Sequence, residues 1–517
     1  MLRQLEYPED ELEKEMLSNW KEQLQSEIEN LEQQIASNTV YVDVLEYVDN
    51  GCCSFLTNIS LAASLYPQLF KTRREGEMMD MIDQLMHRLE KAVLQRFYNE
   101  TNPRECAIYV RALDRIYRRI AASCRLLSGL DFSNMNINLV IKATKHQIGL
   151  CRSSISSTID AVLNEIAKET NLAISSSTMG SMSIQDILQY IHKLEQNFLI
   201  AVKTSLANLL LFTASDITFA GNDPAHFFST FGIDVHEEVV IGSVKDLIKL
   251  AEAYEKGHGE KSGLSPIFYL IFAQFLHNTH GKHINYLMDL CQEQFRLGDR
   301  VNKITNQEII KNSLFSGAEL SLKKYVEVQG GAISQLLVKS IESRDWLDCS
   351  EPQSVRAVIK RVIEYIDGID QQIKPLMEHD TRKERTPDSV RSAGSARRSK
   401  KNSYDTGSLS SALEKLWNER VDYFSTVEFK RDSILTAIVK ISLKAYVEIV
   451  RLQVFGRHGL EQMQIDCCYL KQHLWKYMMD EHVLNSLIDE VITSVVNQCV
   501  DPKILDPAYV KQICENT

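Results

Sequence analysis

Turn-forming residues are scarce in this chain: 10 prolines and 21 glycines in 517 residues, where average usage of about 5% and 7% would give roughly 26 and 36. So few turns per unit length disfavour many short strands and predict long helices. A positive net charge is also missing. The formal charge is −11, from 58 basic and 69 acidic residues, so the chain lacks the positive field that nucleic-acid binding needs. The eleven cysteines are odd in number and include the neighbours Cys52–Cys53 and Cys467–Cys468 but no C-x-x-C pair, which argues against a disulfide framework or a zinc ribbon. Long apolar runs are absent too. Leu264–Leu276, LSPIFYLIFAQFL, stops at 13 residues, short of the roughly 20 that span a bilayer. The start, MLRQLEYPEDELEKE, is acidic and carries no apolar signal core. A soluble protein of a reducing compartment is the expectation.

What is present is helical periodicity. At this length several domains, or one elongated body of many bundles, are expected, and the fold class predicted is all-α. Leu17, Trp20, Leu24, Ile28, Leu31 and Ile35 recur at the straight-helix period between flanks of Glu, Gln and Asn. Such a narrow stripe is marginal as a lone helix. It calls for a neighbour, in the same chain or, by preference, in a partner subunit. Segment 1–40 is therefore set apart as an amphipathic helix, followed by a helical bundle over 41–213 with breaks at Asn102-Pro103 and Ser133-Asn134. Asp216–Gly242, rich in Gly, Asp and aromatics, is the least helical stretch by pattern. It reads as an irregular connection opening a second bundle over 214–346. A C-terminal bundle over 347–517 contains Asp380–Ser411, with eight Lys or Arg, eight Ser and four Asp or Glu. That composition predicts a disordered loop. A solvated linker is the plain reading, and nuclear localisation, phosphorylation or acidic-lipid contact are the alternatives.

The chemical candidates are few. GHGEKSG (Gly257–Gly263) lacks the Gly-Lys pair of a phosphate loop and follows a helical pattern, so Gly257 reads as a helix C-cap. His277, His280 and His283, near Asp289 and Cys291, have helical spacing but no H-E-x-x-H pattern; hydrogen-bonded or surface histidines are expected, with a metal site as the alternative. No G-x-S-x-G elbow, no DFG and HRD set, and no S-x-x-K with its partner motifs is present. No catalytic, cofactor or metal residue is assigned. Gly456-Arg457-His458-Gly459 interrupts two apolar faces, Ile434, Leu435, Ile438, Ile441, Ala445, Ile449 and Leu452 before it, Leu460, Met463, Cys467, Leu470, Leu474 and Met478 after it. A joint between packed helices is the expectation, with the glycines serving close approach and Arg457 and His458 on its exposed side. A catalytic or anion-binding loop is the alternative.

Six strings carry a resemblance. They are YVRALDRIYRR (Tyr109–Arg119), SLANLLLFTASDITF (Ser205–Phe219), YVEVQGGAISQLLVKSIESRDWL (Tyr325–Leu347), VRAVIKRVIEYIDGID (Val355–Asp370), VDYFSTVEFKRDSILTAIVKISLK (Val421–Lys444) and VFGRHGLEQMQIDCCYLKQHLWKY (Val454–Tyr477). In this order they resemble the vacuolar protein sorting-associated protein 51 family, the fat-free homologues, subunits shared by the Golgi-associated and endosome-associated retrograde tethering complexes. The resemblance implies an elongated rod of consecutive helical bundles with no catalytic residues and no cofactor. It implies sister tethering subunits as partners and a cytoplasmic, peripheral location at the trans-Golgi network and recycling endosomes. The family's SNARE-binding tip and long N-terminal coiled coil precede the matched region. This chain is expected to start near or after the end of that coiled coil, with Leu17–Ile35 as its remnant, so that SNARE binding is not expected of it. A generic helical scaffold, a subunit of a different tether and an enzyme built from scattered residues stay open on the residues alone.

Overall fold

The computed structural model describes residues 8–36, 43–70, 74–126, 129–176, 182–222, 224–256, 263–298, 304–377 and 427–516. The Asp380–Ser411 segment and residues 257–262 of the GHGEKSG string lie outside the described residues. The fold is all-α. Its helices are α1 (Glu9–Ala36), α2 (Val44–Glu46), α3 (Cys53–Leu69), α4 (Glu75–Tyr98), α5 (Cys106–Leu126), α6 (Ser133–Ser176), α7 (Ile184–Leu210), α8 (Thr218–Asn222) and α9 (Pro224–Val235). They continue with α10 (Gly242–Lys256), α11 (Pro266–Asn278), α12 (Ile284–Gln294), α13 (Gln307–Glu342), α14 (Ala357–Ile373), α15 (Arg431–Val450), α16 (Arg457–Leu474), α17 (Glu481–Asn497) and α18 (Pro507–Glu515). The described residues divide into two compact units. Unit 1 takes described residues within Met1–Asn164, His192–Lys249 and Asn278–Leu314; unit 2 takes those within Glu165–Ile191, Leu250–His277 and Phe315–Thr517. The longest helix, α6, is 44 residues.

In unit 1 the N-terminal stripe finds its neighbour inside the chain. Leu17, Leu24, Ile28, Leu31 and Ile35 are buried, and Trp20 is half-buried. The helix packs on α3 and α4. Gly51, in the π-helical turn Tyr47–Cys52, makes room for it: a Cβ there would stand 2.4 Å from Leu31 Cδ2. Polar bonds fix the register along the same seam. Glu13 is buried and accepts from the Tyr66 hydroxyl and from Arg74 N at 3.2 Å. Asn58 Nδ2 donates to Glu27 at 2.9 Å, and Arg88 grips Glu32 with both Nε and Nη2. Of the two neighbours open to the stripe, the same chain or a partner subunit, the structure shows the first: the apolar face is turned into the chain's own core.

The expectation for Asp216–Gly242 is corrected. It folds as α8, α9 and a π-helical turn, His236–Ile241, that runs into α10. Its cap comes from far away in sequence: Thr218 N donates to Asp114 Oδ1 on α5 at 2.7 Å. Phe219 and Phe231 are buried and Phe227 is half-buried. Phe219 and Phe227 stand 5.4 Å apart, Phe227 stacks on Phe231 at 5.4 Å, and Phe231 meets Phe212 and Phe295. Across the π-helical turn, Arg152 of α6 binds Asp246 through Nε and Nη2, both 2.8 Å, and Glu238 through Nη1 at 2.8 Å. Gly242 lets the guanidinium lie against the backbone, since a Cβ would meet Arg152 Cζ at 3.0 Å. The same guanidinium holds the Asp246 carboxyl below the usual carboxylate range.

In unit 2 the longest apolar run becomes the core helix α11, with Ile267 to Leu276 all buried. α15 packs on α17, α16 on α14, α17 and α18. Gly330 on α13 admits α15, for a Cβ there would lie 2.9 Å from Ile441 Cγ2.

Because the stripe is core, Leu24→Ala should destabilise unit 1 by about 2–5 kcal/mol, as large-to-small core changes do. Trp20→Ala should cost clearly less. Denaturant unfolding of both variants checks this. Small, equal shifts accompanied by loss of subunit co-purification would place the stripe at an intermolecular seam instead.

Candidate functional site

Three of the strings quoted above converge in unit 2: SRDWL (343–347), VRAVIK (355–360) and FGRHGLEQMQID (455–466). After α13 ends, the Asp345 carboxylate accepts from Leu347 N at 2.9 Å and Asp348 N at 3.4 Å, a side-chain turn of the kind that reverses a chain. The turn buries Trp346, whose Nε1 donates to Ile341 O at 2.8 Å. The backbone of Trp346 and Leu347 then meets the Gly456–Gly459 string. Gly456 N donates to Trp346 O at 2.7 Å. A Cβ on Gly456 would fall 2.4 Å from Leu347 O, and one on Gly459 2.5 Å from Trp346 O. Gly456 is extended, φ −86° and ψ 175°, so space and not backbone strain selects glycine. The string is the crossing point at which α16 starts, tied on its other side to the bridge between Phe455 and Cys499.

Beneath this crossing lies an ion pair. Arg356 Nε donates to Asp466 Oδ2, and Arg356 N donates to Asp466 Oδ1 at 3.1 Å. Nη1 donates to Ser340 O at 3.2 Å and Nη2 to Tyr446 Oη at 2.9 Å. Gln462 Nε2 adds a bond to Asp466 Oδ1 at 3.2 Å, and Cζ of Arg356 lies 4.8 Å from the centre of the Trp346 ring. Asp466 is fully buried. Burial works against both charges: it pushes the Asp466 carboxyl above the usual carboxylate range against the pull of Arg356, while Tyr446 and Asp466 hold the Arg356 guanidinium above its ordinary range. Nε, Nη1 and Nη2 of Arg356 are each engaged by the protein's own groups. Its chemistry is cohesion.

Arg457 and His458 are about half-exposed, on the outer side of the crossing, and both are engaged. Arg457 Nε donates to Glu461 Oε1 at 3.1 Å, and His458 Nδ1 lies 2.7 Å from Glu461 Oε2, while Glu461 itself is buried. A buried carboxylate therefore takes its partners from this exposed pair. Leu452, expected on the buried face before the string, lies past the end of α15 and is exposed.

The other candidates are separate. The stripe from Leu17 to Ile35 belongs to unit 1. His277 stacks on Phe429 at 4.2 Å in unit 2, whereas His283 Nε2 lies 3.7 Å from Glu195 Oε1 in unit 1. Among the described residues no group of three His, Cys, Asp or Glu is arranged to hold a metal ion, and the eleven cysteines are free thiols. One thiol stands out. A hydrogen bond from Cys514, and next the charges of Lys471 and Lys511, bring Cys468 down to about 7 against the opposing effect of burial. Periodicity alone did not single out Arg356, Asp466 or Cys468. The available signal was a carboxylate on an apolar face, since Asp466 falls between Met463 and Leu470 at steps of three and four.

Alanine at Gly456 or Gly459 should cost about 1–3 kcal/mol by forcing backbone apart. Arg457→Ala and His458→Ala should each cost less, but the double variant more than their sum, with Glu461→Gln relieving it. Thermal and denaturant unfolding of the set decides; additive, negligible effects would deny Glu461 its dependence on the two side chains. Separately, Cys468 should be alkylated first by iodoacetamide, with a rate midpoint near pH 7 that rises in Cys514→Ala. Peptide mapping after brief labelling measures this. Unreactive Cys468 at pH 8 would contradict it.

No family model matches the chain. Whole proteins do. The vacuolar protein sorting-associated protein 51 homolog of Xenopus tropicalis is 32% identical over 536 residues, covering 100% of this chain and 69% of its own length. That of Homo sapiens is 32% identical over 531 residues, covering 100% and 67%. The Drosophila melanogaster homolog is 28% identical over 553 residues, covering 100% and 72%. Similar along its whole length to these proteins, and at this identity, the chain belongs to the family of vacuolar protein sorting-associated protein 51 homologues.

Proposed function

We propose that the chain is a non-enzymatic subunit of a multisubunit vesicle-tethering complex that acts in endosome-to-Golgi retrograde transport and endocytic recycling. The observation that carries this reading is the similarity at 32% identity over the entire chain to vacuolar protein sorting-associated proteins. The geometry supports it from another side. The buried constellation of Arg356 with Asp466, Tyr446 and Gln462 is engaged by its own neighbours, as in a body built to hold shape rather than to turn over a substrate. No helix among the described residues is long and apolar enough to cross a membrane. In this reading attachment is peripheral, reached through sister subunits on the cytoplasmic side of the trans-Golgi network and recycling endosomes.

The test is purification of the tagged full chain from cells, with identification of its stoichiometric partners, coupled to rescue of cargo return to the Golgi in cells depleted of the endogenous protein. Tethering subunits in fixed ratio and restored cargo return are expected. A chain that purifies alone and leaves sorting unrescued would overturn the reading.

A further inference from the structure

The connection Arg451–Gly456, held from beneath by the Trp346 turn, gathers large aliphatic side chains on its outer side. Leu347 is 57% exposed, Leu452 77%, Val454 50% and Val500 73%. They are neighbours in space. Gly456 is bonded to Trp346, and Phe455 exchanges backbone bonds with Gln498 and Val500, both at 3.0 Å. Scattered exposed leucines are ordinary, but a cluster at one joint marks an interaction surface.

Beside the cluster runs a groove of about 480 Å³ between Arg451 and one face of α17. Ser486, Asp489, Thr493 and Asn497, at helical spacing, form that face, which extends over roughly three turns, or ~16 Å at 1.5 Å per residue. The charge around the surface is one-sided. Asp348, Glu351, Asp489 and Asp501 are exposed carboxylates. Of the nearby cations, Arg451 is bonded to Glu448 and Glu490, Arg457 to Glu461, and Arg344 lies over the Trp346 ring. Lys503 is left as the exposed counterweight.

This pattern discriminates among occupants. An anionic membrane surface would be repelled by the carboxylates. A second copy of the chain would bring the same acidic rim against itself. An amphipathic helix with an apolar face and Lys or Arg on its flank satisfies both halves, leucine-like side chains on the aliphatic cluster and cations in the groove at Asp489. We propose that the surface of Leu347, Leu452, Val454 and Val500, with the groove at Asp489, seats a basic-flanked amphipathic helix of a sister subunit. This rests on the tethering-subunit reading above, and it names where in unit 2 one of the partners binds.

The experiment uses the full chain and the purified sister subunits of the assembly. In Leu452→Glu/Val500→Glu, whose side chains are mostly exposed, melting should be unchanged while affinity for the sister subunits falls at least tenfold. Asp489→Lys should weaken binding severalfold, and the wild-type affinity should fall as salt is raised. A photoreactive residue at Val454 should cross-link to a sister-subunit segment rich in Lys or Arg. Unchanged affinity in the double variant would overturn the proposal. So would cross-linking of Val454 to a second copy, or binding of the chain through this surface to vesicles of phosphatidylcholine and phosphatidylserine. If the wild-type chain itself fails to bind the sister subunits, the tethering reading falls and this proposal with it. If the wild type binds and the variants bind equally, only the surface is wrong.

Discussion

Arg356 and Asp466 carry opposite charges into the interior of unit 2, and the surrounding helices are arranged by what those charges require. Taking each ion out of water costs several kcal/mol, so the pair persists only where every donor and acceptor is met. Meeting them brings the end of α13 through Ser340 O, the Trp346 turn through its ring, α15 through Tyr446 and α16 through Asp466 and Gln462. One register of those elements satisfies the set. A slip of one residue along α16 would turn Asp466 away and leave Arg356 buried without an anion. The two glycines follow from this constraint, because α16 can reach the Trp346 turn only if nothing larger than hydrogen stands at Gly456 and Gly459.

Much of the fold was legible in the residues. Scarcity of proline and glycine and the three-to-four spacing of apolar positions point to long helices, which is what forms. The faces after Gly459, with Leu460, Met463, Cys467, Leu470 and Leu474, are buried as the spacing implies. What periodicity cannot supply is the identity of the neighbour. The stripe on α1 shows one apolar face, but only the space left by Gly51 and the carboxylate partners Glu13, Glu27 and Glu32 show that the neighbour is α3 and α4 of the same chain. Asp216–Gly242 misleads for a related reason. Its Gly, Asp and Asn content signals turns locally, whereas its helix start is capped by Asp114 and its π-helical turn is clamped by Arg152, groups 104 and about 90 residues away in the chain.

The strings by which the chain resembles its family divide by physical role. SRDWL and FGRHGLEQMQID are joint chemistry: Trp346, Gly459 and Asp466 are buried, and the exposed Asp345 ties the turn. YVRALDRIYRR and SLANLLLFTASDITF likewise meet through Asp114 and Thr218 in unit 1. Such strings mark how the helices are fastened. The surfaces by which a tether engages its partners are on the outer side of those fastenings, where Leu452, Val454 and Val500 are exposed. A subunit of this kind needs rigid joints because its task is to hold positions between other proteins, and a saturated buried ion pair is a means to a single, fixed crossing.

The most direct measurement of that claim is a double-mutant cycle on Arg356 and Asp466, read by denaturant unfolding of the full chain. Arg356→Met and Asp466→Leu should each destabilise strongly, on the order of 3–5 kcal/mol, since each leaves a buried partner unmet. Arg356→Met/Asp466→Leu, which removes both charges and keeps apolar volume, should recover most of that loss. Single variants that cost under about 1 kcal/mol and simply add in the double variant would show that the crossing is held by packing alone, and that the ion pair does not organise it.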